Sequence, residues 1–165
     1  MGGFFPKQMV DLLLKGGQVV DPSQELRGKL DVAVTDGAIS QVAPNISPKG
    51  VTRVINVPGK LVTPGLIDLH CHIYEGVNRT GLNPDLIGVR SGVTTLVDAG
   101  SAGCYTFGGL PTHVVPRAKT RIFCMLHICR TGLSFTPELS RRDDIDLEET
   151  IRVIHANRPL IQGVK

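Results

Sequence analysis

A mixed α and β protein, with a small β-rich unit followed by parallel strands and crossover helices, is what this sequence predicts. Three observations carry the expectation. The first sixty residues hold short apolar runs broken by glycine, proline and aspartate, with no helical periodicity. After "GKLVTPG", short apolar runs alternate with helix-like stretches, a pattern that calls for a parallel sheet with right-handed crossovers. His72 and Lys165 lie 93 positions apart, about 31 for each of three strand–helix units. That spacing suits both a (β/α)8 barrel and a doubly wound sheet.

Each element has its own local reason. "DLLL" (11–14) and "QVVD" (18–21) flank "KGG", which suits a hairpin. "LDVAVT" and "AISQVA" flank Asp36-Gly37, a dipeptide that accepts a tight two-residue turn. "TRVINV" (52–57) adds a strand before Pro58-Gly59. "LIDLH" then reads as a buried parallel strand. In "NPDLIGVRSG", Asn83 suits an N-cap, Pro84 the first helical position and Gly92 the stop. "VTTLVDAG" and "RIFCMLHI" (121–128) are further buried strands. In "DLEETIRVIHANRP", Asp146 and Glu149 make a capping-box-like start, and Leu147, Ile151 and Ile154 share one face. Pro159 ends that helix, and "LIQGVK" (160–165) is the fourth parallel strand.

With 41% hydrophobic and 20% charged residues over 165 positions, the composition is that of a globular chain. The net charge of +3 is spread without a basic stripe, which excludes nucleic acid as a partner. No apolar run nears the roughly 18 residues that cross a membrane. "MGGFFPKQMVDLLLKGG" also lacks the layout of a secretory leader. A cytoplasmic protein with no membrane contact is expected. Cys71, Cys104, Cys124 and Cys129 form no CxxC pair, so free thiols that fill core space are expected.

"GLIDLHCH" (65–72) ends an apolar strand in two histidines one residue apart. Side chains at i and i+2 of a strand share a face, so His70 and His72 project together at its C-terminal end. Barrels of this type place their chemistry at that end. Two imidazoles so placed can share a zinc ion with little backbone adjustment. Two rings that merely fall close together fit the bare spacing too, but a buried strand ending in two imidazoles needs partners for their nitrogens. Asp68 lies one step earlier on the same face, suited to supporting the pair. His127 either faces the same mouth or is a hydrogen-bonded core histidine. His113 and His155 read as loop and helix-surface residues. Lys165 ends an apolar strand, where a charge is costly unless paired or altered. An amine there could take up carbon dioxide as a carbamate; a solvated lysine fits equally.

"VTPGLIDLHCH", "GVRSGVTTLVDAGSAG", "KTRIFCMLHI" and "IQGVK" together resemble the amidohydrolase superfamily, in particular its deacetylase and dihydroorotase-like metallohydrolases. The resemblance runs over essentially the whole chain. It implies that residues 61–165 form the first half, about four βα units, of a (β/α)8 TIM-like barrel. Residues 1–60 would belong to a small β-sandwich domain. It implies two divalent metal ions, commonly zinc, with His70 and His72 on the more buried ion and carboxylated Lys165 bridging both. A metal-activated hydroxide would then attack an amide or ester carbonyl of a small-molecule substrate. The family pattern continues with two more histidines and a proton-shuttling aspartate, expected beyond Lys165. The 165-residue chain alone is therefore expected to be inactive. Substrate selection falls to the loops, with His127 and Arg130, and also Arg79, as candidate substrate-binding residues.

Two other readings stand beside this one. A truncated, catalytically inactive paralogue would act as an interaction module. A half barrel leaves its fourth strand as an open edge, so a homo-oligomer or a partner is expected of it. A ring-amidine deaminase would more often use one metal and lack the bridging lysine, so Lys165 weighs against it.

Overall fold

The computed structural model describes residues 9–135 and 137–165, and the chain divides into two compact units between Pro64 and Gly65. The division falls slightly later than the expected 60/61 because Leu61–Val62 is a strand that pairs with the first strand of the chain.

In the first unit, β1 (Leu12–Asp21), β2 (Leu26–Thr35), β3 (Ala38–Ala43), β4 (Arg53–Asn56) and β5 (Leu61–Val62) form one mixed sheet. Its order is β3-β2-β1-β4, with β5 also on β1. The β2–β3 hairpin turns at Asp36 and Gly37, with φ of 50° and 75°, as that dipeptide predicts. The hairpin expected at "KGG" does not form: residues 12–21 make a single strand with a bulge between Leu14 and Gly17. Gly16 takes φ +76° and donates its N–H to Asp31 Oδ1 at 2.6 Å. A Cβ on Gly17 would lie 2.6 Å from Val62 Cγ2, so this second glycine admits β5. The pair serves a bulge and a close strand approach rather than a reversal. The chain reverses after Asp21, whose carboxylate accepts the Ser23 N–H at 3.0 Å.

In the second unit, β6 (Leu66–Cys71), β7 (Val93–Gly103), β8 (Arg121–His127) and β9 (Ile161–Val164) form a sheet in chain order with every neighbouring pair parallel. Leu96, Ile122, Leu126 and Ile161 are buried against Phe107, Leu110 and Val153 from the connections. α1 (Pro84–Ile87) is one turn long, with Asn83 capping the Asp85 N–H at 3.1 Å. The longer helix expected here breaks because the Val89 N–H donates to Thr120 Oγ1 at 3.1 Å instead of continuing the ladder. A 3-10 turn at Val89–Ser91 follows, and Gly92 stops it with φ +90°.

α2 (Leu147–Ala156) starts as predicted, with Asp146 accepting the Glu149 N–H at 3.0 Å. Its buried face is not the expected one. Thr150 and Val153 are buried and Ile154 is half-buried, whereas Leu147 and Ile151 are 62% and 55% exposed. Periodicity defines a stripe on a helix, but the docking angle onto the sheet decides which edge of that stripe is covered. Among the described residues no helix is long and apolar enough to cross a membrane.

Candidate metal centre at the strand ends

β6 delivers His70 and, one residue past its end, His72. Their ring centroids are 5.6 Å apart in an edge-on arrangement. His70 is exposed, and Asp68 turns back to accept the His70 backbone N–H at 2.9 Å rather than reaching toward the rings. His72 is half-buried, and its Nδ1 lies 3.1 Å from Ser101 Oγ at the end of β7. Burial lowers the His72 pKa; Asp98 opposes that shift, while Lys165 and His70 add to it. A neutral imidazole is the form that binds a metal.

Lys165 follows β9 and is held to β8 on both backbone groups: its N–H donates to Leu126 O and its carbonyl accepts from the Ile128 N–H, each at 2.9 Å. Its side chain runs past Gly100, which takes φ +81°. A Cβ on Gly100 would stand 2.9 Å from Lys165 Cδ and 3.2 Å from His127 Cδ2. Lys165 is exposed, and it lies near enough to His72 for its charge to act on that ring. Among the described residues no three His, Cys, Asp or Glu side chains converge as a metal cage. The donor set present is two imidazoles and an amine.

His127 is 1% exposed with both ring nitrogens engaged. Its Nδ1 accepts the Cys129 N–H at 3.0 Å, which leaves the proton on Nε2 to donate to Glu138 at 2.7 Å. This bond, opposed by burial and reinforced by Lys165, holds the Glu138 carboxyl below its ordinary range. Contact between His127 and a substrate would require Glu138 to move aside. Arg130 is held by a ring contact, while its buried Nε has no hydrogen-bond partner among the described residues. Its guanidinium sits 5.6 Å from the centre of the Tyr105 ring, whose hydroxyl donates to Asp146 at 2.9 Å. That arrangement joins the loops after β7 and β8. Arg79 is exposed in the loop after β6. His113 and His155 are exposed as well.

All four cysteines are free and buried. Cys71, between the two histidines, donates its Sγ–H to Val97 O, and burial beside Asp98 and Asp68 pushes the thiol up to about 12. It is a packing thiol with no thiolate to offer a metal.

Sequence reasoning missed Asp98, Gly100, Ser101 and Glu138. The signal for the first was an aspartate inside the apolar run "TLVDAG", which a buried strand does not carry without partners. Asp98 is fully buried; it accepts the Ile73 N–H at 2.9 Å and the Ser101 N–H at 2.7 Å. One carboxylate thus ties the loop after β6 to the end of β7. Two cavities, of about 360 and 570 Å³, lie beside α1 and α2 and include none of the three candidate ligands.

The second unit is a parallel α/β sheet with two histidines and a lysine at its strand ends. No family model matches the chain. It is 35% identical over 133 residues to a deacetylase of Brucella anthropi, a match that covers 79% of this chain and 33% of that protein. It also superposes on the crystal structure of a dihydroorotase with a TM-score of 0.82 at 30% identity, covering 93% of this chain and 41% of that one. For the crystal structure of an adenine deaminase the TM-score is 0.78 at 29% identity, covering 94% and 40%. The chain belongs to the amidohydrolase superfamily, and it spans about a third of the length of the curated deacetylase it matches.

Proposed function

We propose that the complete protein is a metal-dependent hydrolase that cleaves an amide or ester bond of a small molecule, as a deacetylase or dihydroorotase-like enzyme does. The observation that carries this reading is the edge-on pair of His70 and His72 at the end of β6, with the Lys165 charge acting on His72 from the end of β9. In this reading β6 to β9 are the first four strands of a (β/α)8 barrel, and β1 to β5 belong to a small β-sandwich. Four free buried thiols suit a reducing compartment, and we place the protein in the cytoplasm, with association into a homo-oligomer as part of the proposal.

The residues fit divalent ions of the zinc type. Imidazole nitrogen is a good zinc donor, and His72 has Nδ1 facing a hydroxyl, which leaves Nε2 for an ion. An amine becomes an oxygen donor when Lys165 Nζ forms an N–C bond to carbon dioxide and releases a proton to solvent, giving a carbamate. His70, His72 and Lys165 would hold two divalent ions, which would supply Lewis acidity and an activated water for hydrolysis. The chain's own residues do the positioning. Asp98 fixes the two loops, Gly100 leaves room for Lys165, and the His127–Glu138 pair fastens the loop after β8 over the strand ends. His127 and Arg130 take part in substrate binding through the loops they hold.

Metal analysis of the complete protein tests the assignment. About two divalent ions per chain are expected, with a sharp fall in His70→Ala and Lys165→Ala. Full occupancy in those variants would refute it. The likeness to an adenine deaminase supports one other reading, hydrolysis of a ring amidine, and release of ammonia instead of a carboxylic acid distinguishes it.

A further inference from the structure

Ser101 stands out once the strand ends are described. It is fully buried, yet its hydroxyl is spent on one group, Nδ1 of His72, at 3.1 Å. Its backbone N–H is bound to Asp98 Oδ1 at 2.7 Å, and the other oxygen of that carboxylate holds Ile73, the residue after His72, at 2.9 Å. The imidazole and the hydroxyl therefore hang from one buried carboxylate. Gly132 closes over the carbonyl side: a Cβ there would lie 2.5 Å from Ser101 O. The hydroxyl has little freedom to leave.

We propose that Ser101 is a positioning residue that sets the tautomer of His72, with Asp98 as the frame that holds the two in register. The inference rests on the metal assignment for His72 and deepens it. Ser101 Oγ, 3.1 Å from Nδ1, can donate to an unprotonated Nδ1 or accept from a protonated one, and a cation on Nε2 leaves it only the accepting role, because the ring proton then sits on Nδ1. Without the hydroxyl the Nδ1–H that metal binding demands has no partner at this half-buried position, and the tautomer that turns a lone pair toward the ion loses its support. The hydroxyl also fixes the ring plane, so the ion meets a preorganised donor.

The test uses the complete protein with ¹⁵N-labelled histidine, first free of metal and then titrated with zinc. Two-bond ¹H–¹⁵N spectra report which His72 nitrogen carries the proton. With zinc bound, the wild type is expected to hold it on Nδ1. Ser101→Ala is expected to hold a smaller Nδ1–H fraction at the same zinc concentration and to bind zinc roughly 10–100-fold more weakly, while Ser101→Thr, which restores a hydroxyl, recovers both. Should the alanine variant not fold, Ser101→Cys gives the same comparison with a weaker acceptor. An unchanged tautomer and unchanged zinc affinity in the folded variant would overturn the role of Ser101. His72→Ala separates this from the larger assignment. If it too keeps full zinc affinity, His72 is no ligand. If it loses zinc while Ser101→Ala does not, only the positioning role fails.

Discussion

Gly100 occupies a left-handed conformation at the point where Lys165 and His127 come closest to β7. A side chain there meets two costs, the strain of φ +81° and an overlap at 2.9 Å with Lys165 Cδ. Gly100→Ala is expected to destabilise the protein by about 1–3 kcal/mol and to lower metal content by displacing Lys165; thermal melts and metal analysis read both. Asp31 is a different kind of single-residue effect. Burial works against its charge, but the Lys15 ammonium at 2.9 Å and the N–H groups of Gly16 and Ile46 hold its carboxyl below the ordinary range. Because the folded pKa is the lower one, its stabilisation is complete above the unfolded value and disappears as pH falls through the folded value. Asp31→Asn should therefore cost about 2 kcal/mol at neutral pH. The gap in melting temperature between the two proteins should close in acid, below about pH 4. A gap that stays constant with pH would contradict the ionised role.

Among the elements, α2 shows how far local signals reach. Its start was legible because an N-cap is a contact between residues three apart, and Asp146 makes it with Glu149. Its buried face was not legible, since Leu147, Ile151 and Ile154 define a stripe and only the sheet beneath selects Thr150 and Val153. Asp146 also receives the Tyr105 hydroxyl at 2.9 Å, so the cap joins the helix to the loop after β7. Asp146→Ala is expected to cost about 1 kcal/mol, and Tyr105→Phe in that background should add little, as a double-mutant cycle of denaturation midpoints would show. β1 makes the same point from the other side. Two glycines in "KGG" signal a departure from regular strand, but whether they reverse the chain or bulge it depends on β5 and Asp31, which lie far along the sequence.

For the whole molecule, the coupling of metal to fold is the property to measure. β6 and β9 are the two edges of the four-stranded sheet, and they carry the candidate ligands. An ion held by both ends would link them, and anything that binds only the folded state stabilises it by mass action. Chelation is expected to lower the melting temperature of the complete protein, and added zinc to restore it, with a smaller response in His72→Ala. An equal response in both would argue against ligation by His72. The exposed apolar residues of β6, Leu66, Ile67 and Leu69, lie on both faces of its strand, so further cover of that edge belongs to the same question.

The parallel strands of the second unit, the caps of both helices, the Asp36-Gly37 turn and the pairing of His70 with His72 were all present in the sequence. Each depends on residues near in the chain, where alternation, capping and turn chemistry act directly. The grouping of Lys165 with that pair rests on likeness to a family. The roles of Asp98, Gly100, Ser101 and Glu138 came from the tertiary structure. The physical reason is that their meaning lies in partners brought close by sheet register: Ser101 against His72, Gly100 against Lys165, and Glu138 against His127. Burial then turns each of those contacts into a requirement, since a polar group hidden from water must find its partner within the fold.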